Sequence, residues 1–291
     1  MDNVDNHMPG VLTRRNPSGQ ALPLMFDSPH SGRIYPTDFN HDCPREKILW
    51  GEDSFIDELY GAAPIHGAWL LAAEFPRTYI DPNRALEDMD PTMVDGNWPG
   101  EVRDNPKSAE GIGLIWRNAG AGIAFYERKL TLVEAQARID NYWRHYQNQM
   151  SDIAETISDR WGKRWHINCH SMYSNAFAET LGKANVPEED IILGDRDGST
   201  CSAEFTTLVA EAFQAEGLRV AVNKKFKGVE LVRKWGDPAN DCHSLQIEID
   251  RRLYMDEWRI EKNAGFDAMQ QSVTRVIGKI ADYVKSQTPA A

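Results

Sequence analysis

The chain is poor in cysteine. Four in 291 residues (Cys43, Cys169, Cys201, Cys242) are scattered with no CxxC pair, which excludes a zinc ribbon and a small disulfide framework. Long apolar runs are missing too: none approaches the ~18 residues needed to cross a bilayer. Positive charge is in deficit, with 32 Lys and Arg against 44 Asp and Glu and a net charge of -12. That balance argues against nucleic acid, whose binding is largely neutralisation of phosphates by basic side chains. The opening Met1 to Gly10 has acids and no apolar core, unlike a secretory leader, so the expected location is the cytoplasm. There is no internal repeat, no low-complexity tract, and no Walker loop, GxSxG elbow or HExxH. What remains is 41% hydrophobic and 26% charged, an ordinary globular composition at a length that can bury a core.

Residues 1–20 read as a flexible polar arm, and 21–291 as a single domain. ALPLMFDS (Ala21 to Ser28) is a strand stopped by Pro29-His30-Ser31-Gly32. A helix is expected at Phe55 to Tyr60, a strand at Ala68 to Ala73, and a short strand within Arg77 to Arg84. Glu87 to Ile123, rich in Gly, Pro and Trp, reads as a long excursion, and loops of that length usually cover or serve a site. From Thr131 to Arg160, apolar residues from Leu132 through Ile139 and Tyr146 to Ile157 recur every three or four positions, as on one face of a helix. Strands follow at Trp165 to Cys169, Ile191 to Leu193, Leu218 to Val222 and Leu245 to Ile249. Helices are expected at Ser202 to Glu216 and Phe266 to Val284. Strands separated by helices predict an α/β fold: a mixed, largely parallel sheet covered on both faces.

In such sheets the ligand crevice lies at the carboxyl ends of the strands. His30 and His170 are expected there, and Glu248 sits between two isoleucines on the last strand. Glu52 and Asp53 precede the first helix. Two imidazoles and a carboxylate with an open position are the ligands of hydrolytic zinc sites, and either Glu52 or Asp53 could be the acid. Burial of Glu248 would raise its pKa toward that of a general base. Arg77, Asn83 and Arg84 cluster within eight residues, and guanidinium groups grip carboxylates with paired hydrogen bonds. Other readings compete. The Asp195-Arg196-Asp197 loop could hold a cation or merely pair with arginines; Lys224, Lys225 and Lys227 read as a solvated turn; Cys169, inside an apolar strand, reads as an inert thiol.

PHSG at 29–32, DSFIDELY at 53–60, FPR at 75–77, DPNR at 81–84, CHSM at 169–172, LGDRDG at 193–198 and LQIEID at 245–250 together resemble the N-formylglutamate amidohydrolase family. The resemblance runs in order from about residue 22 to 260. It implies a three-layer α/β/α fold, phosphorylase/hydrolase-like and related to zinc carboxypeptidases and aspartoacylase. It also implies a divalent metal, zinc first, on His30, Asp53 and His170, with Asp53 matching the family's Asp-x-x-x-Asp pattern. Glu248 would be the general base, Arg77 the oxyanion partner, and Asn83 and Arg84 the grip on the substrate carboxylate. The implied ligand is a small acidic N-acyl amino acid, with neither nucleic acid nor membrane as partner. Members dedicated to histidine breakdown carry Asp-Trp-His-Val-Asp where this chain has DSFID. The acyl substrate could therefore be N-formyl-L-glutamate or a related compound. A deacylase or metallopeptidase on another acidic substrate, or an inactive carboxylate-binding protein, are the alternatives.

Overall fold

A computed structural model describes residues 4–119, 123–180, 182 and 188–288. Its main sheet has eight strands: β1 (Val4–Met8), β2 (Leu12–Arg15), β3 (Leu24–Ser28), β4 (Trp69–Ala73), β5 (Arg164–Met172), β6 (Ile191–Gly194), β7 (Val220–Val222) and β8 (Cys242–Asp250). They lie in the order β1-β2-β4-β3-β5-β8-β6-β7. The central run β4-β3-β5-β8 is parallel throughout, and β6 with β7 is parallel as well. The β1–β2, β2–β4 and β6–β8 pairings are antiparallel. The mixed, largely parallel sheet is thus as the sequence suggested.

The flexible arm expected over residues 1–20 is corrected: residues 4–15 form a hairpin that extends the sheet at one edge. A polar edge strand needs little apolar anchorage, and Leu12 is fully buried here. Gly10 turns the hairpin at φ +77°, and Glu74 holds it through the Gly10 N–H (2.8 Å) and the Thr13 hydroxyl (2.5 Å). A second correction concerns Arg77 to Arg84. The segment is a run of turns rather than a strand, because Pro76 and Pro82 bracket it and each removes a ladder donor.

The principal helices are α1 (Ile56–Leu59), α2 (Leu132–Arg138), α3 (Arg144–Trp161), α4 (Ala203–Ala215), α5 (Glu230–Trp235) and α6 (Phe266–Ser286). On one face of the sheet Phe26, Leu70, Ile167 and Ile247 pack with Phe205 and Val209 of α4 and with Val273, Ile277 and Ile280 of α6. On the other, Met25, Trp69 and Leu71 pack with Tyr146, Met150, Ile153 and Ile157 of α3. Three layers result, each face buried by side chains of alternating direction. A π turn at Ile139–Trp143 joins α2 to α3. It brings the Trp143 indole N–H to the carbonyl of Arg84 (2.9 Å), while the Gln147 amide donates to the carbonyl of Pro82 (2.8 Å). The long helix thus grips the 81–84 turn from behind. Among the described residues, no helix is long and apolar enough to cross a membrane.

Candidate active site

Strands β5 and β8 turn their apolar residues one way and most of their polar residues the other. Trp165, Ile167 and Cys169 of β5 point into the helical layer of α4 and α6, so His166, Asn168 and His170 share the opposite face. In β8, Leu245, Ile247 and Ile249 do the same, leaving Ser244, Gln246 and Glu248 beside that row. Register pairs Glu248 with His170 and Gln246 with Asn168. A polar floor is the consequence, and over it opens a crevice of about 680 Å³. Its lining includes His30, Asp53, Arg77, Arg84, His170 and Glu248. This is the volume range of small-molecule sites.

His30 reaches the floor from the turn after β3. Gly32 makes that turn possible, since a Cβ there would stand 2.1 Å from the carbonyl oxygen of Phe75. The carbonyl of His30 in turn accepts the Asp53 N–H (2.9 Å), tying the two loops together. Asp53 Oδ2 lies 2.9 Å from His170 Nδ1 and 3.3 Å from His30 Nδ1. All three side chains are buried, and together they form a group whose ligand atoms lie within 4.8 Å of one another.

The far nitrogens are spoken for: His30 Nε2 is 2.7 Å from Asp81 Oδ1, and His170 Nε2 is 2.6 Å from Asn168 Oδ1. These acceptors suit the tautomer with its proton on Nε2, which would leave the Nδ1 lone pairs for a cation bound beside Asp53. His30 Nδ1 is buried without a hydrogen-bond partner, which suits a cation. Charge states agree with that fit. Burial pushes the His170 pKa down, against the opposing hydrogen bond to Asp53, so its imidazole is neutral at neutral pH. Burial pushes Asp53 up, but the hydrogen bond from His170 and the adjacent His30 outweigh it and hold the carboxyl well below its usual range. Neutral imidazoles with an ionised carboxylate are the forms that bind a divalent metal.

Glu52, the other acid open on sequence grounds, is turned away. It accepts from Tyr35 and from Ser54 (3.1 Å), and burial pushes its pKa up to about 7. Glu248 is buried and accepts from the Gln246 amide (2.8 Å). Burial, then the charge of Asp53, raises its pKa well above the ordinary value. Arg77 makes two hydrogen bonds to Asp81 Oδ2 (2.8 and 3.1 Å) and its guanidinium carbon lies 4.9 Å from the centre of the Trp116 ring.

Arg84 is 5% exposed and bound only to the carbonyls of Asn83 (3.0 Å) and Ile112 (3.2 Å). Among the described residues it has no ion-pair partner, so a buried cation faces the crevice with only more distant acids (Asp81, Asp88 and Glu230) to balance it. Asn83 is more committed than expected: its Oδ1 accepts the Leu231 N–H (2.9 Å), and its Nδ2 lies 3.0 Å from His170 Nε2.

Several contributors escaped the sequence reading. Asp81 orients His30; Asn168 orients His170; Arg251 binds Asp53 Oδ1 (2.9 Å). Below them Asp27 accepts from His166 (2.8 Å), Asn168 (2.8 Å) and Tyr146 (2.7 Å), and His166 meets Ser244 (2.7 Å). This serine, histidine and aspartate are fully buried, so they stiffen the floor and reach no substrate. Period-two alternation in WHINCHS was the signal that could have found His166 and Asn168.

The less favoured readings resolve as follows. Asp195 is consumed by Gly198 N–H (2.8 Å), Asn223 (2.7 Å) and Thr206 (2.9 Å), and Asp197 pairs with Lys227. Lys224 pairs with Glu189. Cys169 faces the opposite side of the sheet from His170, and burial drives its thiol pKa up. Ser54, Phe55 and Ile56, where the chain differs from the Trp-His-Val expected of members dedicated to histidine breakdown, do not line the crevice: Ser54 donates to Glu52, Phe55 packs on Phe266, and Ile56 is buried in the core.

A buried glutamate, a His-Asp-His group and an arginine with no ion-pair partner among the described residues gather over the ends of parallel strands, an arrangement of the hydrolase kind in an α/β fold. The family model for N-formylglutamate amidohydrolase matches residues 22–255, and the chain belongs to that family. A crystal structure of an N-formylglutamate amidohydrolase from Ralstonia eutropha JMP134 is 44% identical; the alignment covers 96% of this chain and 100% of that one, with a TM-score of 0.92. The N-formylglutamate deformylase of Pseudomonas putida is 28% identical over 241 residues, 81% of this chain and 83% of the relative. That of Pseudomonas aeruginosa is 27% identical over 240 residues, with the same coverage.

Proposed function

We propose that the protein hydrolyses the amide bond of N-formyl-L-glutamate or a closely related N-formyl or N-acyl amino acid, giving formate (or the corresponding acid) and the free amino acid. The observation that carries this reading is the meeting of the His30–Asp53–His170 group, the buried Glu248 and the unpaired Arg84 in one crevice. Its similarity to an N-formylglutamate deformylase and an N-formylglutamate amidohydrolase supports it.

His30 and His170 through Nδ1, and Asp53 through Oδ2, would hold a divalent cation, zinc first by ligand type. Such a cation, when bound, supplies a lowered pKa for the attacking water and polarisation of the acyl carbonyl. The remaining work belongs to the chain. Glu248 takes a proton from the attacking water and delivers it to the departing amine; burial and the nearby Asp53 raise its pKa and so make it a stronger base than an ordinary glutamate. Arg77, braced by Asp81 and Trp116, offers its guanidinium to the oxygen that gains charge. Arg84, with Asn83 beside it, seats the α-carboxylate and thereby acquires the counter-charge it lacks.

The test is a substrate panel of N-formyl, N-acetyl and N-succinyl derivatives of glutamate, aspartate and leucine, read as free amine. Turnover is expected to be highest with formylglutamate, to be abolished by chelation and to return with added zinc. A protein with no turnover on any of the panel, before or after metal addition, would refute the reading and favour a carboxylate-binding role.

A further inference from the structure

The two oxygens of Asp53 have different neighbours. Oδ2 faces the Nδ1 atoms of His30 and His170, as described. Oδ1 accepts from Arg251 Nη2 (2.9 Å) and from the Ser171 hydroxyl (3.2 Å). Arg251 is 3% exposed and each of its nitrogens is engaged: Nε donates to Ser171 Oγ (2.9 Å) and Nη1 to the carbonyl of Trp50 (3.1 Å). Its guanidinium carbon also lies 4.3 Å from the centre of the Tyr173 ring. Arg251 directly follows β8, three residues beyond Glu248, so one strand end places both the base and the clamp on Asp53.

We propose that Arg251, with Ser171, is a positioning residue for metal capture: it fixes the Asp53 carboxylate so that only Oδ2 is presented between the two histidines. The assignment rests on the reading that His30, Asp53 and His170 hold a divalent cation. Geometry and charge make opposite predictions here, which is what makes the idea decidable. As a bare positive charge beside a dication, Arg251 would repel the metal, and its removal would tighten binding. As a clamp, its removal frees the carboxylate to rotate and lets Oδ1 compete for the histidines, and binding weakens. Groups that orient metal ligands typically contribute about 10- to 100-fold in metal affinity. Lysine cannot replace the fork, because one ammonium cannot span Asp53, Ser171 and Trp50 in a fixed plane.

The experiment is zinc affinity of the metal-stripped full chain, by competition with a chromophoric chelator, for wild type, Arg251→Met, Arg251→Lys and Ser171→Ala. Cobalt(II) absorption spectra of the same four proteins report the ligand field. Arg251→Met is expected to weaken zinc about 10- to 100-fold and to alter the cobalt spectrum. Arg251→Lys should recover only part of the affinity, and Ser171→Ala should shift both readouts less and in the same direction. Should Arg251→Met fail to fold, the lysine and serine variants carry the comparison. Wild-type or tighter zinc affinity in the variants overturns the positioning role alone. A wild-type chain that takes up no stoichiometric metal overturns the metal reading and this role with it.

Discussion

Replacing Glu248 by glutamine separates the proposed chemistry from the fold that surrounds it. The side chain is 6% exposed, and Oε1 accepts one hydrogen bond, from Gln246 at 2.8 Å. Glutamine has the same shape and keeps an Oε1 acceptor, so the packing has no cause to change. It cannot take a proton from water. Loss of a general base costs roughly 10²- to 10⁴-fold in rate, equivalent to roughly 3–5 kcal/mol of barrier. Stability should move the other way. Burial and the neighbouring Asp53 raise the folded-state pKa of Glu248, so the ionised carboxylate destabilises the fold increasingly as pH rises from the ordinary glutamate value toward the raised one. The neutral variant escapes this cost, and without metal its unfolding midpoint at pH 7 should equal or exceed that of wild type. Zinc content should be unchanged, because Glu248 is outside the His30–Asp53–His170 group. The assays are steady-state release of glutamate from formylglutamate, elemental analysis, and thermal unfolding in chelator. A variant that turns over at the wild-type rate would show that another group takes the proton.

Arg84→Met should lower kcat/KM by about 10- to 100-fold, the worth of a charge-assisted hydrogen bond to a carboxylate. A substrate amidated at the α-carboxylate should suffer on the wild type and lose little more on the variant; equal losses by both proteins would place that carboxylate elsewhere. At the start of α2, Thr131 and Glu134 cap each other reciprocally, and the Arg128 hydrogen bond first, with Thr131 adding to it, brings the Glu134 carboxyl down to about 2. A depressed carboxyl contributes stability above its ordinary pKa and loses it as pH falls toward about 2. Unfolding midpoints followed from pH 6 to 2 should therefore converge for wild type and Glu134→Gln at the acid end, while Thr131→Ala costs about 1 kcal/mol at neutral pH.

How much of this was legible in the sequence depends on the range of the forces involved. His30, His170 and Glu248 could be found because strand grammar places them at or near carboxyl ends, and Asp53 because the family pattern singles it out from Glu52. Alternation even contained more than was taken from it, since Asn168 lies two residues before His170 on the same face. Arg251 and Asp81 carry no comparable local mark. Asp81 is one of many acids near Arg77, and only the fold shows that it receives His30 from 51 residues away. The polar hairpin at residues 4–15 was unreadable for a related reason: an edge strand is stabilised by ladder partners on β4 and by Glu74, neither of which leaves an apolar pattern in the strand itself.

The net charge of -12 gains a sharper meaning from the same geometry. An acidic exterior repels an acidic substrate at long range, with a reach of about 10 Å at 0.1 M salt. Inside the crevice the balance is local. Asp81 is matched by Arg77 and Asp53 by Arg251, while Arg84 has no ion-pair partner among the described residues. Two arginines are thus paired with the site's own carboxylates, and on the proposed function the third would take the substrate's. On the proposed function, capture of the anion would be set by the arginine that lacks an ion-pair partner among the described residues, and the number of surface acids would affect mainly how fast the anion arrives.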